Sequence, residues 1–314
     1  MTLPPPPARV LIAGRDREAL AGWLRQRRPG LEIRTAELDE VTAGDLAWAD
    51  AYLGFRPPPH LPLDGLRWVH STGAGVDAFL FRRAFPDGTL LTRTDEPFGT
   101  QIGEWCVARA LAFTQQLFAF REDQQSRRWN PRPLRLLRDE PVLVAGTGEV
   151  GTGVAAAFAG LGCTVRGVSR RGGSRAPFRS VASVDRLPEA VREAGVIVLT
   201  MPLTESTFHL FDATVLGHCR GALLLNVGRG SLVDEAAILP ALDAGHLSGA
   251  ALDVFEEEPL PATSPLWDDP RVIIAPHLAG FTTVAGAGAG FLRVIEALER
   301  GELPGLAVDP ARGY

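Results

Sequence analysis

The segment 142–151 constrains the fold more than any other. Four apolar residues, Val142-Leu143-Val144-Ala145, run into Gly146-Thr147-Gly148-Glu149-Val150-Gly151, and an alanine-rich stretch follows over 154–161. A GxGxxG run that leaves an apolar strand and opens a helix reads as a dinucleotide-binding turn. Gly146 permits the tight turn, Gly148 lets the backbone approach a pyrophosphate, and Gly151 lets the helix pack closely, while amides at the helix start face the anion. The bland alternative is a glycine-rich turn with no ligand. The strand and helix on either side argue against it.

At 314 residues the chain exceeds one ordinary compact core, so two domains are expected. Apolar runs at 9–13, 31–35, 51–55, 66–70 and 89–92 alternate with helical stretches and read as strands. A second series reads as six strands, at 142–145, 164–168, 196–200, 222–227, 249–252 and 272–275. Such βα alternation predicts an α/β chain with two doubly wound parallel-sheet domains. Six strands suit a complete Rossmann NAD(P)-binding sheet. Between the series one long helix is expected over about 101–125, carrying Trp105, Leu111, Phe113, Leu117 and Phe118 and crossing between domains. The amphipathic stretch 284–299 is expected to return to the first domain. The expected division is a discontinuous substrate-binding domain of 1–98 and 281–314 and a dinucleotide-binding domain of 99–280, with the active site in the cleft between them.

Several functions are excluded by composition. The 32 basic residues are all arginine, so no lysine is present. A Walker phosphate loop, a Schiff-base enzyme and a lysine-dependent dehydrogenase are therefore ruled out in their usual forms. Net charge is −5, which gives no footprint for nucleic acid. The longest apolar runs, such as 196–201, are too short to span a bilayer. Pro4 to Pro7 stand where a secretory signal would need an apolar helix, so the start reads as a frayed tail and the protein as cytoplasmic. Cys106, Cys163 and Cys219 are too scattered for a metal knuckle and read as buried structural thiols; no metal site is expected.

The adenosine end of the dinucleotide turn points to NADP. Where an NAD enzyme places an acidic residue after the second strand, this chain has Ser169-Arg170-Arg171. No acidic residue occurs between Glu149 and Asp185, whereas Arg166, Arg170, Arg171, Arg175 and Arg179 do. A guanidinium can pair with a 2'-phosphate, and the missing carboxylate removes the repulsion that would reject it. NADPH is therefore expected over NADH, with Arg175 and Arg179 read as solvated.

Further along, polar residues follow successive apolar strands. Arg229 comes after the strand ending in Asn226-Val227-Gly228, Asp253 ends the next, and His277 follows the last. In an open α/β sheet such positions line the ligand crevice. Each alone would suit a surface or capping residue. Together with Glu258, they supply an anion-binding guanidinium, an imidazole and a carboxylate partner, which suits reduction of a small 2-oxo acid. Glu256 and Glu257 fit a solvated acidic loop, and Glu258 is singled out by Pro259-Leu260-Pro261 behind it.

With these residues in view, the chain resembles the D-2-hydroxyacid dehydrogenase family, in its glyoxylate/hydroxypyruvate reductase A branch. The likeness runs through 49–58, Gly73-Ala74-Gly75-Val76-Asp77, Gln124-Gln125 with Trp129, the glycine turn, 201–207, the segments around Arg229, Asp253 and Glu258, and the ending 308–314. It implies a flavodoxin-like substrate domain and a homodimer joined through the nucleotide domains and the helix over 101–125. It also implies that His277 is the general acid, oriented by Glu258, and that Arg229 and the amides of Ala74 and Gly75 hold the substrate carboxylate. The implied cofactor residues are Gly146, Gly148, Glu149, Val150, Gly151, Ser169, Arg170, Arg171, Met201, Pro202, Val227, Gly228, Asp253, His277 and Gly280. Thr283 stands where relatives commonly carry a basic residue, Gly280 replaces a frequent alanine, and Phe55 a different aromatic. These departures keep open a larger acid such as phenylpyruvate or a branched 2-oxo acid, and the resemblance itself keeps open a non-catalytic dinucleotide-sensing interaction protein, since the family also includes such members.

Overall fold

The computed structural model describes residues 3–313, so Tyr314, the last residue of the family-like ending, lies outside the described residues. The chain divides into two compact units, Met1–Glu96 with Thr282–Tyr314, and Pro97–Phe281. The first contains β1 (Arg9–Ala13), α1 (Arg17–Arg27), β2 (Glu32–Ala36), α2 (Ala43–Trp48), β3 (Ala51–Gly54), β4 (Trp68–Ser71), α3 (Asp77–Leu80) and β5 (Leu90–Arg93), and the helix Val284–Glu299 belongs to it. Its five strands lie in the order β2-β1-β3-β4-β5 with every pair parallel, which is the flavodoxin-like order.

Alternation along β1 divides the core of this unit between the two sheet faces. Val10 and Ile12 pack with Leu20 and Leu24 of α1 and with Phe291 and Val294 of helix Val284–Glu299. Leu11 and Ala13 pack with Leu46 of α2 and Phe79 of α3. The Phe291 ring stacks on Trp68 with centroids 4.4 Å apart, so the last helix is tied into the first face. The expected frayed start is corrected here: Leu3 packs against the same face, and Pro4 and Pro7 are buried. Proline's lack of an N–H makes such burial inexpensive.

Asp50, just before β3, is buried. It accepts from the amides of Ala8 and Arg9 and pairs with Arg9 and with Arg67 at 2.6 Å. Burial alone would raise its pKa, but these donors overcome it and hold the carboxyl at about 2.

The second unit contains α4 (Phe98–Thr114), α5 (Leu117–Gln125), β6 (Val142–Ala145), α6 (Glu149–Gly160), β7 (Val165–Ser169), β8 (Val181–Ser183), α7 (Leu187–Arg192), β9 (Val196–Leu199), α8 (Ala213–Leu216), β10 (Ala222–Asn226), α9 (Ile238–Asp243), β11 (Leu247–Leu252) and β12 (Val272–Ile274). Its strand order is β12-β11-β10-β9-β6-β7-β8, all parallel. Seven strands replace the expected six. The extra one, β8, is a three-residue edge strand, too short to show a period of its own.

The single helix expected over 101–125 is two helices. The chain turns at Gln116, which takes left-handed φ of 50°. The side-chain amides of Gln115 and Gln116 donate to the carbonyls of Arg135 and Pro133, which holds the break. Both helices belong to the second unit. All three cysteines are buried and unpaired, and burial pushes the Cys219 thiol up to about 11. Among the described residues no helix is long and apolar enough to cross a membrane.

The Asp50 cluster makes acid stability testable. A carboxyl with a depressed folded pKa stabilises fully above its unfolded value, near ~4, and loses that contribution as pH falls through the folded value. Asp50→Asn is expected to lower the melting temperature at neutral pH and to flatten its decline between about pH 4 and pH 2. Thermal melts across that range check both.

Candidate active site

Because every strand pair of the second sheet is parallel, the carboxyl ends of all its strands share one edge. At the end of β6, Gly146 takes φ of +105°, and Gly148 is the N-cap of α6. A Cβ on Gly151 would run into the Gly146 carbonyl, so only glycine fits there. A Cβ on Gly148 would meet nothing within 4 Å, which leaves the approach to the helix start open. The Gly146 amide donates to Val168 on β7, and the Thr200 hydroxyl lies 3.1 Å and 3.0 Å from the Ala145 and Gly146 carbonyls. The turn is therefore held from both neighbouring strands. With Glu149 and Val150 it forms an open helix start able to hold a dinucleotide pyrophosphate.

Ser169 closes β7, and its hydroxyl oxygen accepts from the Gly172 amide. Arg170 and Arg171 follow it and are exposed. Arg166 is engaged elsewhere, in an ion pair with Glu193. Arg175 is exposed, as expected, and its guanidinium also donates to the carbonyl of Thr147, inside the glycine turn, at 2.8 Å. That contact joins residues 28 apart in sequence and has no local signature. At the end of β9, Met201 is buried, and the Thr207 hydroxyl donates to the Pro202 carbonyl at 2.7 Å.

Beyond β10, Val227 and Gly228 are buried and Arg229 is half-buried. The buried Asn226 side chain closes this loop on itself, donating to the Arg229 carbonyl at 2.9 Å and accepting from the Gly228 amide at 3.2 Å. The Arg229 guanidinium donates to the Gly228 carbonyl. Asn226 was read only as part of a motif. Its structural work is invisible in sequence because it depends on burial.

Asp253, at the end of β11, is 1% exposed. Its two carboxylate oxygens accept the amides of Leu278 and Ala279, each at 2.8 Å, while its carbonyl accepts the His277 amide. Burial raises its pKa, and the two amides oppose that rise. Asp253 thus anchors the loop that carries His277. His277 itself takes left-handed φ of 56°, unusual for a residue with a Cβ. Its Nδ1 lies 2.9 Å and 3.1 Å from the two Glu258 oxygens, and Glu258 is steadied by the Phe255 amide. Gly280 faces Ile102; a Cβ there would lie 3.0 Å from the end of that side chain, which would have to shift by a few tenths of an ångström.

In the first unit, the segment with Ala74 and Gly75 follows β4. The Ser71 hydroxyl oxygen accepts from the Gly73 amide and the hydroxyl donates to the Gly75 carbonyl at 2.9 Å. A Cβ on Gly73 would lie 2.6 Å from the Phe55 ring. Thr283 is committed to structure: its hydroxyl oxygen caps helix Val284–Glu299 and its amide and hydroxyl donate to Glu96.

Residues 107–279 match the model of the D-isomer specific 2-hydroxyacid dehydrogenase NAD-binding domain. A glyoxylate/hydroxypyruvate reductase A from Citrobacter koseri is 36% identical over 307 residues, 94% of this chain and 96% of the relative. The chain belongs to the D-isomer specific 2-hydroxyacid dehydrogenase family. A family structure from Xanthobacter autotrophicus, solved with NADPH and MES, is similar at TM-score 0.85 and 33% identity, covering 97% of this chain and 99% of that one. An NADPH-dependent glyoxylate/hydroxypyruvate reductase from Sinorhizobium meliloti, solved with NADP and sulfate, is similar at TM-score 0.85 and 29% identity, covering 98% and 100%.

Proposed function

We propose that the protein reduces a small 2-oxo acid of the glyoxylate or hydroxypyruvate type to its D-2-hydroxy acid, with NADPH as reductant and His277 as general acid. The observation that carries this reading is the pairing of His277 Nδ1 with Glu258, which leaves Nε2 as the nitrogen that can deliver a proton. When bound, the reduced nicotinamide supplies the hydride that adds to the substrate's carbonyl carbon. His277 gives a proton to the carbonyl oxygen, and Glu258 stabilises the imidazolium before transfer and fixes the ring after it. Arg229 holds the substrate carboxylate; the same role for the Ala74 and Gly75 amides rests on the family resemblance. Asp253 anchors the His277 loop, and a role for it in orienting the nicotinamide amide rests on the family resemblance.

The NADPH preference is supported by Arg170 and Arg171 after β7, by the absence of an acidic residue there, and by the two relatives solved with the phosphorylated cofactor. A homodimer through the second unit is supported by apolar exposure around the helix break: Leu117, Phe118 and Leu134 are about half exposed and Trp129 is 97% exposed.

Initial rates over a panel of 2-oxo acids test the reading, with glyoxylate and hydroxypyruvate expected to exceed phenylpyruvate and branched acids; cofactor binding without turnover of any acid would favour the sensing alternative. His277→Gln is expected to lower kcat by about 10²- to 10⁴-fold with little change in NADPH affinity, and survival of turnover within a few fold would remove the acid role. Arg170→Ala with Arg171→Ala should raise the KM for NADPH about tenfold or more while leaving NADH nearly unchanged. Light scattering should give twice the chain mass, and Trp129→Ala should shift it towards monomer.

A further inference from the structure

The ladder between β10 and β11 ends at Asn226 and Leu252. Arg229 and Glu258 lie beyond it on separate loops, where strand pairing no longer sets their spacing. Two carboxylates span the gap. The Glu235 amide donates to Glu256 at 3.2 Å, and the Glu256 amide donates to Glu235 at 2.6 Å, so each side chain accepts the other's backbone N–H. Glu235 follows Arg229 by six residues and Glu256 precedes Glu258 by two. A Cβ on Gly230 would run into the Phe255 backbone, so the two loops also meet directly.

A third segment joins them. His209 takes left-handed φ of 49°, its amide donates to the Ser231 carbonyl at 2.8 Å, and its Nε2 lies 3.0 Å from Glu256. The neighbouring Phe211 amide donates to Leu232, and the Asp234 amide donates back to Phe211. His209 thereby ties the segment after β9 to the Arg229 loop through its amide, while its imidazole lies beside Glu256 without a hydrogen bond to it.

We propose that Glu235 and Glu256, with His209, form a clamp that sets the spacing between the carboxylate anchor Arg229 and the acid pair His277–Glu258. All three are positioning residues, and the proposal rests on the roles assigned to Arg229 and His277 above. Hydride and proton transfer to a carbonyl next to a bound carboxylate tolerate little displacement, since a shift of about 1 Å can cost on the order of 10²-fold in rate. Burial raises the pKa of Glu235, the Glu256 amide opposes this, and the nearby charges of Glu256 and Glu258 add to the rise. These carboxyls therefore share one electrostatic environment with the acid pair.

His209, Asp234 and Glu256 also bring ligand atoms within 4.8 Å of one another, a grouping that could hold a cation. Asp234 is occupied as a cap on the Ala236 amide and Glu256 by the Glu235 amide, which favours the clamp.

Glu235→Ala, Glu256→Ala, the double variant, Glu235→Gln and Glu235→Asp are compared with the unaltered protein by steady-state kinetics, by NADPH titration and by binding of oxalate to the NADPH complex. The clamp requires each alanine variant to lose about 10- to 100-fold in kcat/KM for the 2-oxo acid, through both KM and kcat, with NADPH affinity unchanged. The double variant should lose no more than about a single one, because either change opens the same ring. Glu235→Gln keeps the accepting oxygen and should stay within about threefold; Glu235→Asp, one methylene short, should fall between and serves if the alanine variant does not fold. Unchanged kcat/KM, a parallel loss of NADPH affinity, additive losses or failure of glutamine to rescue would each overturn the clamp. Loss of activity with EDTA, restored by zinc or magnesium, would replace it with a cation site. If the unaltered protein turns over no 2-oxo acid, the functional reading fails separately, and the clamp is judged by oxalate: weaker binding in Glu235→Ala supports it and equal binding overturns it.

Discussion

Everything proposed for the second unit depends on parallel pairing. Its strands β6, β7, β9, β10, β11 and β12 all finish on one edge, so the glycine turn, Ser169, Met201, Arg229, Asp253 and His277 follow strands that end together. Had one strand run the other way, its polar residue would have been delivered to the opposite edge. Within that arrangement, short-range contacts do the finer placement. Asn226 closes the loop of Arg229, Asp253 ties down the loop of His277, and Glu258 orients the imidazole.

These local ties share a physical pattern. In each, a polar side chain hydrogen-bonds within or between the loops beyond the strand ends, so positions are fixed without extra ordered residues. Asp253 illustrates the energetics: a carboxylate removed from water is costly unless its oxygens find donors, and two loop amides supply them. The same residue therefore holds the loop from a buried position. Arg175 extends the pattern to the cofactor turn, where its guanidinium meets the Thr147 carbonyl.

Much of this was legible in the sequence, and what was not has identifiable causes. The glycine turn carries its own context, and among the fully buried strands β3, β6 and β9 carry no polar side chain but the Tyr52 hydroxyl, while β4 and β10 are apolar except for His70, Ser71 and Asn226 at their ends. The long strand series of both units therefore appeared from pattern alone. Strand β8 did not, because three residues define no period. The break at Gln116 escaped because glutamine is a good helix former, and what stops the helix is a pair of carbonyls some 17 to 20 residues away. Leu3, Pro4 and Pro7 looked like a loose start because packing against a distant helix has no local sign. Glu256 looked, with Glu257, like part of a solvated acidic loop, yet it exchanges hydrogen bonds with Glu235. Residues whose work is done across loops read as ordinary until the loops are placed.

The edge strand that leads to His277 has a further bearing on how the molecule would come apart. β12 has three residues, each only partly buried, and a neighbour on one side alone. Its continuation is held by the carboxylate and carbonyl of Asp253 and by the pairing of His277 with Glu258. Such a strand belongs to the low end of local stability, where brief openings cost far less than unfolding the core. As temperature or denaturant rises, the imidazole would leave its station while the sheet behind it stays intact. Departure of the imidazole and unfolding of the sheet would then be two separate events, and the first would be reversible.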